Sequence, residues 1–167
     1  MNKNAKRWLW LLLPLSLILT VVVIWLMPTR EQNHSLSDIT LTSLEGQQVR
    51  PADFEGQPVI INLWATWCQP CTRELPLLAE MDAQYPQVQV LFVNQRERQS
   101  QVKDYLEAQG LDLNWVLLDP EGKLASSYQS RGLPTTLFFD TQGELVEAFL
   151  GELSMVQLFN AIQDLRP

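Results

Sequence analysis

The chain has 167 residues and carries 12 basic and 19 acidic side chains, a net charge of −7 at pH 7. This length accommodates one ordinary domain plus an appendage. Without the three basic residues near the N-terminus, the chain has nine basic and 19 acidic side chains, and the basic ones form no cluster. Such an acidic domain is not expected to bind nucleic acid or anionic lipid headgroups.

The N-terminal segment 1–28 has the pattern of a membrane anchor. Residues 8–27 are uncharged and almost wholly apolar, and twenty helical residues span about 30 Å, the thickness of a bilayer core. Lys3, Lys6 and Arg7 precede this run, so the N-terminus is expected in the cytoplasm. A cleaved signal peptide is the alternative, although no A-x-A-like site follows the run. We therefore expect a single-pass signal anchor in the cytoplasmic (inner) membrane, with the domain facing the periplasm or the cell exterior.

A polar segment, 29–37, is predicted to be a linker, and residues 38–167 are predicted to form the folded domain. The linker contains the only histidine, His34. Beyond it, the hydrophobic patterns and turn residues predict a β-hairpin, then a β-α-β-α-β-α series, then a second hairpin and a final helix. The predicted strands cover 38–44, 48–50, 59–64, 87–94, 114–118, 135–140 and 144–150, and the helices after the first one cover 102–109, 124–130 and 155–165. This order indicates an α/β domain with a mixed sheet and helices on both faces.

Both cysteines, Cys68 and Cys71, lie between a buried strand and a helical pattern. The free N–H groups and partial positive charge of a helix N-terminus stabilise a thiolate, which favours Cys68 as the attacking sulfur. Cys71, on the first turn, can then resolve a mixed disulfide. A purely structural disulfide would close a very small loop and stabilise little. Zinc needs four ligands, and two thiols and one histidine are too few. The spacing therefore indicates redox chemistry.

The string NLWATWCQPCTRELP, residues 62–76, resembles the active site of TlpA/ResA-like membrane-anchored thiol–disulfide oxidoreductases in the thioredoxin-like superfamily. The resemblance extends over residues 37–165. It implies a thioredoxin-like fold, with a mixed central sheet flanked by helices and an N-terminal β-hairpin extension, behind one transmembrane helix.

The same resemblance implies roles for residues around the cysteine pair. Pro134 would have a cis peptide bond beside the cysteines, and Leu133 would offer backbone groups to an extended substrate strand. Trp67 would shield the disulfide and offer a flat surface to partners. Glu74 shares a helix face with Cys71, and an acid–base role is implied for it; a solvated or capping glutamate is the alternative.

Asn62 occupies the strand position at which cytoplasmic thioredoxins usually have a buried aspartate. An asparagine side chain does not titrate, so the proton of the resolving cysteine would need another acceptor. Glu74 is the candidate for that acceptor.

The implied activity is reduction of protein disulfides, with Cys68 as nucleophile, Cys71 as resolving cysteine, and no cofactor or metal. Electrons would come from a DsbD- or CcdA-like membrane donor. Apocytochrome c is a common substrate in the family, but YQSRGLPT (128–135) lacks the glutamate of the Gly-x-x-Gly-x-Pro-Glu stretch of the cytochrome-maturation branch. The implied role is cytochrome c maturation or related thiol homeostasis.

Three alternatives use the same thiols differently. A disulfide-forming oxidase of the DsbA type would run the chemistry in the opposite direction. A copper-binding or metallochaperone module would hold Cu(I) between the two thiols. A peroxidase of the peroxiredoxin type would need threonine or serine three residues before the attacking cysteine, where this chain has Ala65.

Overall fold

A seven-stranded mixed sheet organises the part of the chain that the computed structural model describes, residues 35–165. The strands are β1 (Leu41–Ser43), β2 (Gln48–Val49), β3 (Val59–Trp64), β4 (Gln89–Gln95), β5 (Val116–Asp119), β6 (Thr135–Phe139) and β7 (Leu145–Leu150). The helices are α1 (Gln69–Gln84), α2 (Gln99–Gln109), α3 (Lys123–Ser127) and α4 (Met155–Asp164), with a 3-10 turn at Pro51–Phe54. The strand order in the sheet is β2-β1-β5-β4-β3-β6-β7.

The pairing directions follow from the connections. Strands β3, β4 and β5 are parallel neighbours joined through α1 and α2, while β1 with β2 and β6 with β7 are antiparallel hairpins. Strand β3 also pairs antiparallel with β6. Strand β3 lies inside the sheet, between β4 and β6, and the cysteine pair begins in the loop that follows it.

The residues of β3 alternate between two cores because successive side chains on a strand point to opposite faces. Ile60 and Trp64 belong to the core under α1, α2 and α4, whereas Val59, Ile61 and Leu63 belong to the core that includes α3. Every residue of β3 is buried. The predicted sheet with helices on both faces is confirmed, and so is the order of the elements along the chain.

Two helix boundaries differ by three residues from the sequence prediction. Helix α2 begins at Gln99 rather than at 102, because Arg98 and Gln101 form a capping arrangement that extends it. Helix α3 ends at Ser127 rather than at 130, because Gln129 takes a left-handed conformation with φ of 53°. The 3-10 turn was not predicted.

The predicted transmembrane segment, 8–27, lies outside the described residues, as does His34. Within residues 35–165, every helix is too short or too polar to cross a membrane. The last residues of the segment predicted as a linker pack on the domain. Leu36 is buried, and its N–H donates to the carbonyl of Gly143 at 2.8 Å.

Asp119, at the end of β5, holds the start of α3 in place. Its carboxylate accepts hydrogen bonds from the backbone N–H groups of Lys123 (2.8 Å), Leu124 (3.0 Å) and Ala125 (3.3 Å). These N–H groups have no partner inside the helix, so a side-chain acceptor must satisfy them. The side chain of Asp119 thus fixes the position of α3 on the sheet.

We predict that Asp119→Ala lowers the free energy of unfolding by about 2 kcal/mol, because the first N–H groups of α3 lose their acceptor. Urea denaturation of the full-length chain measures this. Asp112→Ala is the matched control, since Asp112 is exposed and has no hydrogen-bond partner among residues 35–165; its cost should stay within about 0.5 kcal/mol. Equal losses in the two variants would contradict the role given to Asp119.

Candidate active site

Cys68 and Cys71 form a disulfide at the N-terminus of α1. Cys68 is the N-cap residue of the helix, and Cys71 lies in its first turn. Cys68 keeps 6% of its surface exposed, whereas Cys71 is fully buried. An attacking thiol from solvent, or a substrate disulfide after reduction, therefore meets Cys68 first.

The local sequence explains why the helix starts at this point. The N–H of Cys68 donates to the carbonyl of Ala65 at 3.2 Å, which closes a turn directly after β3. Pro70 occupies the first helical turn, where a missing N–H leaves no hydrogen bond unmade. The carbonyl of Cys68 then accepts the N–H of Thr72 at 3.0 Å, the first hydrogen bond of the helix.

Glu74 lies one turn after Cys71 on the buried face of α1, and its side chain is only 2% exposed. One carboxylate oxygen accepts the side-chain amide of Asn62 at 2.8 Å, and the other accepts the backbone N–H of Leu153 at 2.9 Å. The Asn62 amide also donates to the hydroxyl of Thr136 at 3.0 Å. The solvated or capping alternative for Glu74 is thus wrong: the carboxylate is buried and hydrogen-bonded to β3 and to the segment after β7.

Burial raises the pKa of Glu74 above its ordinary value of 4.5, because a charged carboxylate loses its hydration there. The hydrogen bonds from Leu153 and Asn62 oppose this shift, and the nearby charge of Glu152 adds to it. A carboxyl group with a raised pKa can take up and release a proton closer to neutral pH than an exposed glutamate. Glu74 is thus a buried titratable group one helical turn from Cys71.

A short segment after β7, Gly151 to Leu153, connects α1 to the loop before β6 that contains Leu133 and Pro134. We call this loop the proline loop. The N–H of Gly151 donates to the carbonyl of Pro134 at 2.9 Å. Glu152 forms an ion pair with Arg73 of α1, with its shortest contact at 2.6 Å, and Leu153 donates to Glu74. The proline loop and the cysteine helix are therefore held by the same three residues.

The Leu133–Pro134 peptide bond is cis, as the sequence resemblance implies. Leu133 is half-buried, and neither its N–H nor its carbonyl has a hydrogen-bond partner among the described residues. Trp67 is 68% exposed, and it lines one groove together with Leu133. An extended peptide could pair with the free backbone groups of Leu133 while it contacts the indole of Trp67.

Glu97 is a buried residue of the site that the sequence analysis did not identify. Its carboxylate accepts the backbone N–H of Thr66 at 2.8 Å, the hydroxyl of Thr66 at 2.5 Å and the side-chain amide of Asn94 at 2.8 Å. Thr66 lies two residues before Cys68, so Glu97 anchors the loop that carries Trp67 and the attacking cysteine. The residues after β4 are polar, and no sequence pattern marked this glutamate as buried.

Comparison with known proteins agrees with this geometry. Residues 33–148 match the model of the AhpC/TSA family. Thiol-disulfide oxidoreductase ResA of Geobacillus kaustophilus is 31% identical over 132 residues, which cover 78% of this chain and 75% of that protein.

Solved structures give the same picture. The exposed lipoprotein thioredoxin Etrx1 of Streptococcus pneumoniae superposes with a TM-score of 0.65 at 30% identity, over 77% of this chain and 99% of that one. A secreted disulfide oxidoreductase of Mycobacterium tuberculosis, described as homologous to E. coli DsbE, gives a TM-score of 0.68 at 22% identity, over 75% and 95% of the two chains; at this identity it supports the fold alone. The chain belongs to the AhpC/TSA family, and it is a thioredoxin-like thiol–disulfide oxidoreductase of the ResA type whose redox pair is Cys68 and Cys71.

Proposed function

We propose that the protein is a membrane-anchored, extracytoplasmic reductase of protein disulfides. The observation that carries this proposal is the asymmetry of the cysteine pair, in which Cys68 is accessible at the helix N-terminus and Cys71 is fully buried behind it. The apolar run 8–27 with its basic flank supports the anchor and the orientation. A membrane dithiol protein of the DsbD or CcdA kind would supply the electrons.

In the proposed reaction, the Cys68 thiolate attacks one sulfur of a substrate disulfide, and the other substrate sulfur leaves as a thiol. This gives a mixed disulfide between Cys68 and the substrate. Glu74 takes the proton of Cys71, whose thiolate then attacks the Cys68 sulfur and releases the second substrate thiol. The substrate disulfide gains two electrons, and the Cys68–Cys71 disulfide is formed again.

The substrate would bind as an extended segment across Trp67, Leu133 and Pro134. The unpaired N–H and carbonyl of Leu133 offer one donor and one acceptor to a passing strand, and backbone hydrogen bonds of this kind tolerate many sequences. Disulfide-containing proteins, apocytochrome c among them, are the proposed substrate class. The hydroxyl of Thr66 is bound to Glu97, and Ala65 has none, so the hydroxyl three residues before the attacking cysteine that a peroxidase would need is absent here.

The direction of the reaction follows from the reduction potential. We expect a value at or below about −270 mV, the thioredoxin end of the known span, because the Gln69-Pro70 dipeptide between the cysteines brings no charge that would further stabilise the Cys68 thiolate. Equilibration of the full-length chain with dithiol buffers of defined potential measures it, with Cys68→Ser as the blank. A value near about −120 mV, the DsbA end, would make the protein an oxidant and overturn the proposed direction.

The order of the two cysteines can be tested by trapping. Cys71→Ser should accumulate a mixed disulfide with an oxidised protein substrate, because Cys68 attacks and nothing resolves the product. Cys68→Ser should accumulate at least about ten-fold less, because the remaining thiol is buried. Non-reducing electrophoresis and mass spectrometry quantify both adducts. Equal trapping by the two variants would show that the assignment of nucleophile and resolving cysteine is wrong.

The raised pKa of Glu74 predicts a pH-dependent stability. The native state holds this proton at pH values where the unfolded chain has lost it. The stabilisation associated with Glu74 is therefore fully present below its unfolded pKa of about 4.5 and is lost as pH rises through the folded pKa. Glu74→Gln does not titrate, so wild type should lose stability relative to this variant as pH rises above about 4.5. Urea denaturation across the pH range measures the difference.

The same variant tests proton transfer to and from Cys71. Glu74→Gln should change the pH profile of thiol reactivity in the reduced protein, whereas Glu80→Gln, an exposed position on the same helix, should not. Thiol alkylation of each cysteine followed by mass spectrometry gives the two profiles. Profiles of Glu74→Gln that superpose on those of wild type would remove Glu74 from the mechanism.

A further inference from the structure

A groove beside the disulfide carries two arginines whose side chains have no ion-pair or hydrogen-bond partner among residues 35–165. Its walls include Trp67 and Leu133, the two residues that flank the redox site, together with Arg96, Ser126, Arg131 and Gly132. Both arginines are exposed. We call this surface the arginine groove.

The charge of the arginine groove is unusual for this domain. Residues 35–165 contain seven basic and eighteen acidic side chains. Four of the basic residues form ion pairs with neighbouring carboxylates; they are Arg50, Arg73, Lys103 and Lys123. Of the other three, Arg98 hydrogen-bonds Gln101. Arg96 and Arg131 have no carboxylate within 4.0 Å in the described part of the chain, and both line the arginine groove.

The fold holds Arg96 at this place. Its backbone is left-handed with φ of 61°, which is uncommon for a residue with a side chain, and its N–H donates to the carbonyl of Asp119 at 3.1 Å. The residues on either side of it, Gln95 and Glu97, are buried. A Cβ atom at Gly122 would lie 3.0 Å from the Nε atom of Arg96, so the guanidinium lies across a glycine that leaves it room.

The arginine groove lies where a bound substrate strand would continue. Leu133 has the free backbone groups, and Arg131, two residues before it, lines the same groove. A substrate strand paired with Leu133 would therefore bring a residue about two positions from its cysteine close to Arg131 and Arg96. Guanidinium groups bind carboxylates through paired N–H donors.

We propose that the arginine groove binds an aspartate or glutamate side chain near the reacting cysteine of the substrate protein, so that the enzyme selects disulfides with an acidic flank. The proposal rests on the proposed function and adds the substrate class. The net negative charge of the domain on its own repels acidic peptides. A preference for acidic flanks would therefore have to come from a local, positively charged site.

Three short peptides test this preference with the reduced full-length chain. Each has one cysteine in a disulfide with 2-thiopyridine and, two residues away, Glu, Gln or Lys. The Cys68 thiolate attacks the peptide sulfur and displaces thiopyridone, whose absorbance is followed; Cys71 then releases the peptide thiol and the enzyme disulfide forms. At low salt we expect the second-order rate constant for the Glu peptide to exceed that for the Lys peptide about ten-fold.

The variants identify the residues responsible. Arg96→Gln with Arg131→Gln should abolish or reverse the ratio of Glu to Lys rates, and Arg131→Gln alone, at an exposed position, should reduce it about three-fold. The matched control is Arg98→Gln with Lys103→Gln, which removes the same charge from α2 and its cap and should keep the full ratio. A ratio near one in wild type, or a ratio unchanged by the Arg131 variants, would overturn the proposal.

A separate binding measurement keeps the two proposals distinguishable. Labelled peptides with serine in place of cysteine are titrated with the oxidised protein, and fluorescence anisotropy gives their affinities. We expect the Glu peptide to bind about ten-fold more tightly than the Lys peptide, and the double arginine variant to lose this difference. If wild type reduces none of the three disulfides but still shows this binding difference, the proposed reductase function is wrong and the binding of acidic flanks by the arginine groove is supported. If wild type reduces all three disulfides at one rate and binds the serine peptides equally, only the proposal for the arginine groove is overturned.

Discussion

The buried carboxylate of Glu74 is the interaction on which the geometry of the redox site depends. It receives one hydrogen bond from Asn62 in β3 and one from the backbone of Leu153, and Asn62 in turn binds Thr136 in β6. Apolar contacts under α1 are non-directional and would allow the helix to slide on the sheet. Directional hydrogen bonds in a low-dielectric interior do not allow it. They fix where the first turn of α1, and with it the cysteine pair, lies relative to the Leu133–Pro134 loop.

The burial that fixes this geometry also changes the chemistry of Glu74. A carboxylate under a helix loses hydration, and two hydrogen-bond donors compensate for only part of that loss, so its pKa is raised. An apolar residue would pack there without this cost, but it could not carry the proton exchange with Cys71 that we propose for Glu74. A buried titratable group at that cost in stability is consistent with the proposed role.

A second buried carboxylate, Glu97, organises the other side of the cysteine pair. It binds the backbone and hydroxyl of Thr66 and so positions the loop that carries Trp67 and Cys68. The two carboxylates come from different elements, Glu74 from α1 and Glu97 from the loop after β4. Next to Glu97 the chain turns through the left-handed Arg96, whose side chain lines the arginine groove.

The sequence alone determined the element order, the mixed sheet and the redox pair, because hydrophobic periodicity and the C-x-x-C spacing are local properties of the chain. It also singled out Glu74, through its offset from Cys71 and a family resemblance. It could not show that this carboxylate is bound by Asn62 and Leu153, since those partners are 12 and 79 residues away. The burial of Glu97 and the convergence of Arg96 and Arg131 were decided only by the tertiary structure, because each requires β4 or the proline loop to be packed beside β3. Local patterns specify which elements form, whereas the environment of a charged side chain depends on neighbours that only the folded sheet brings together.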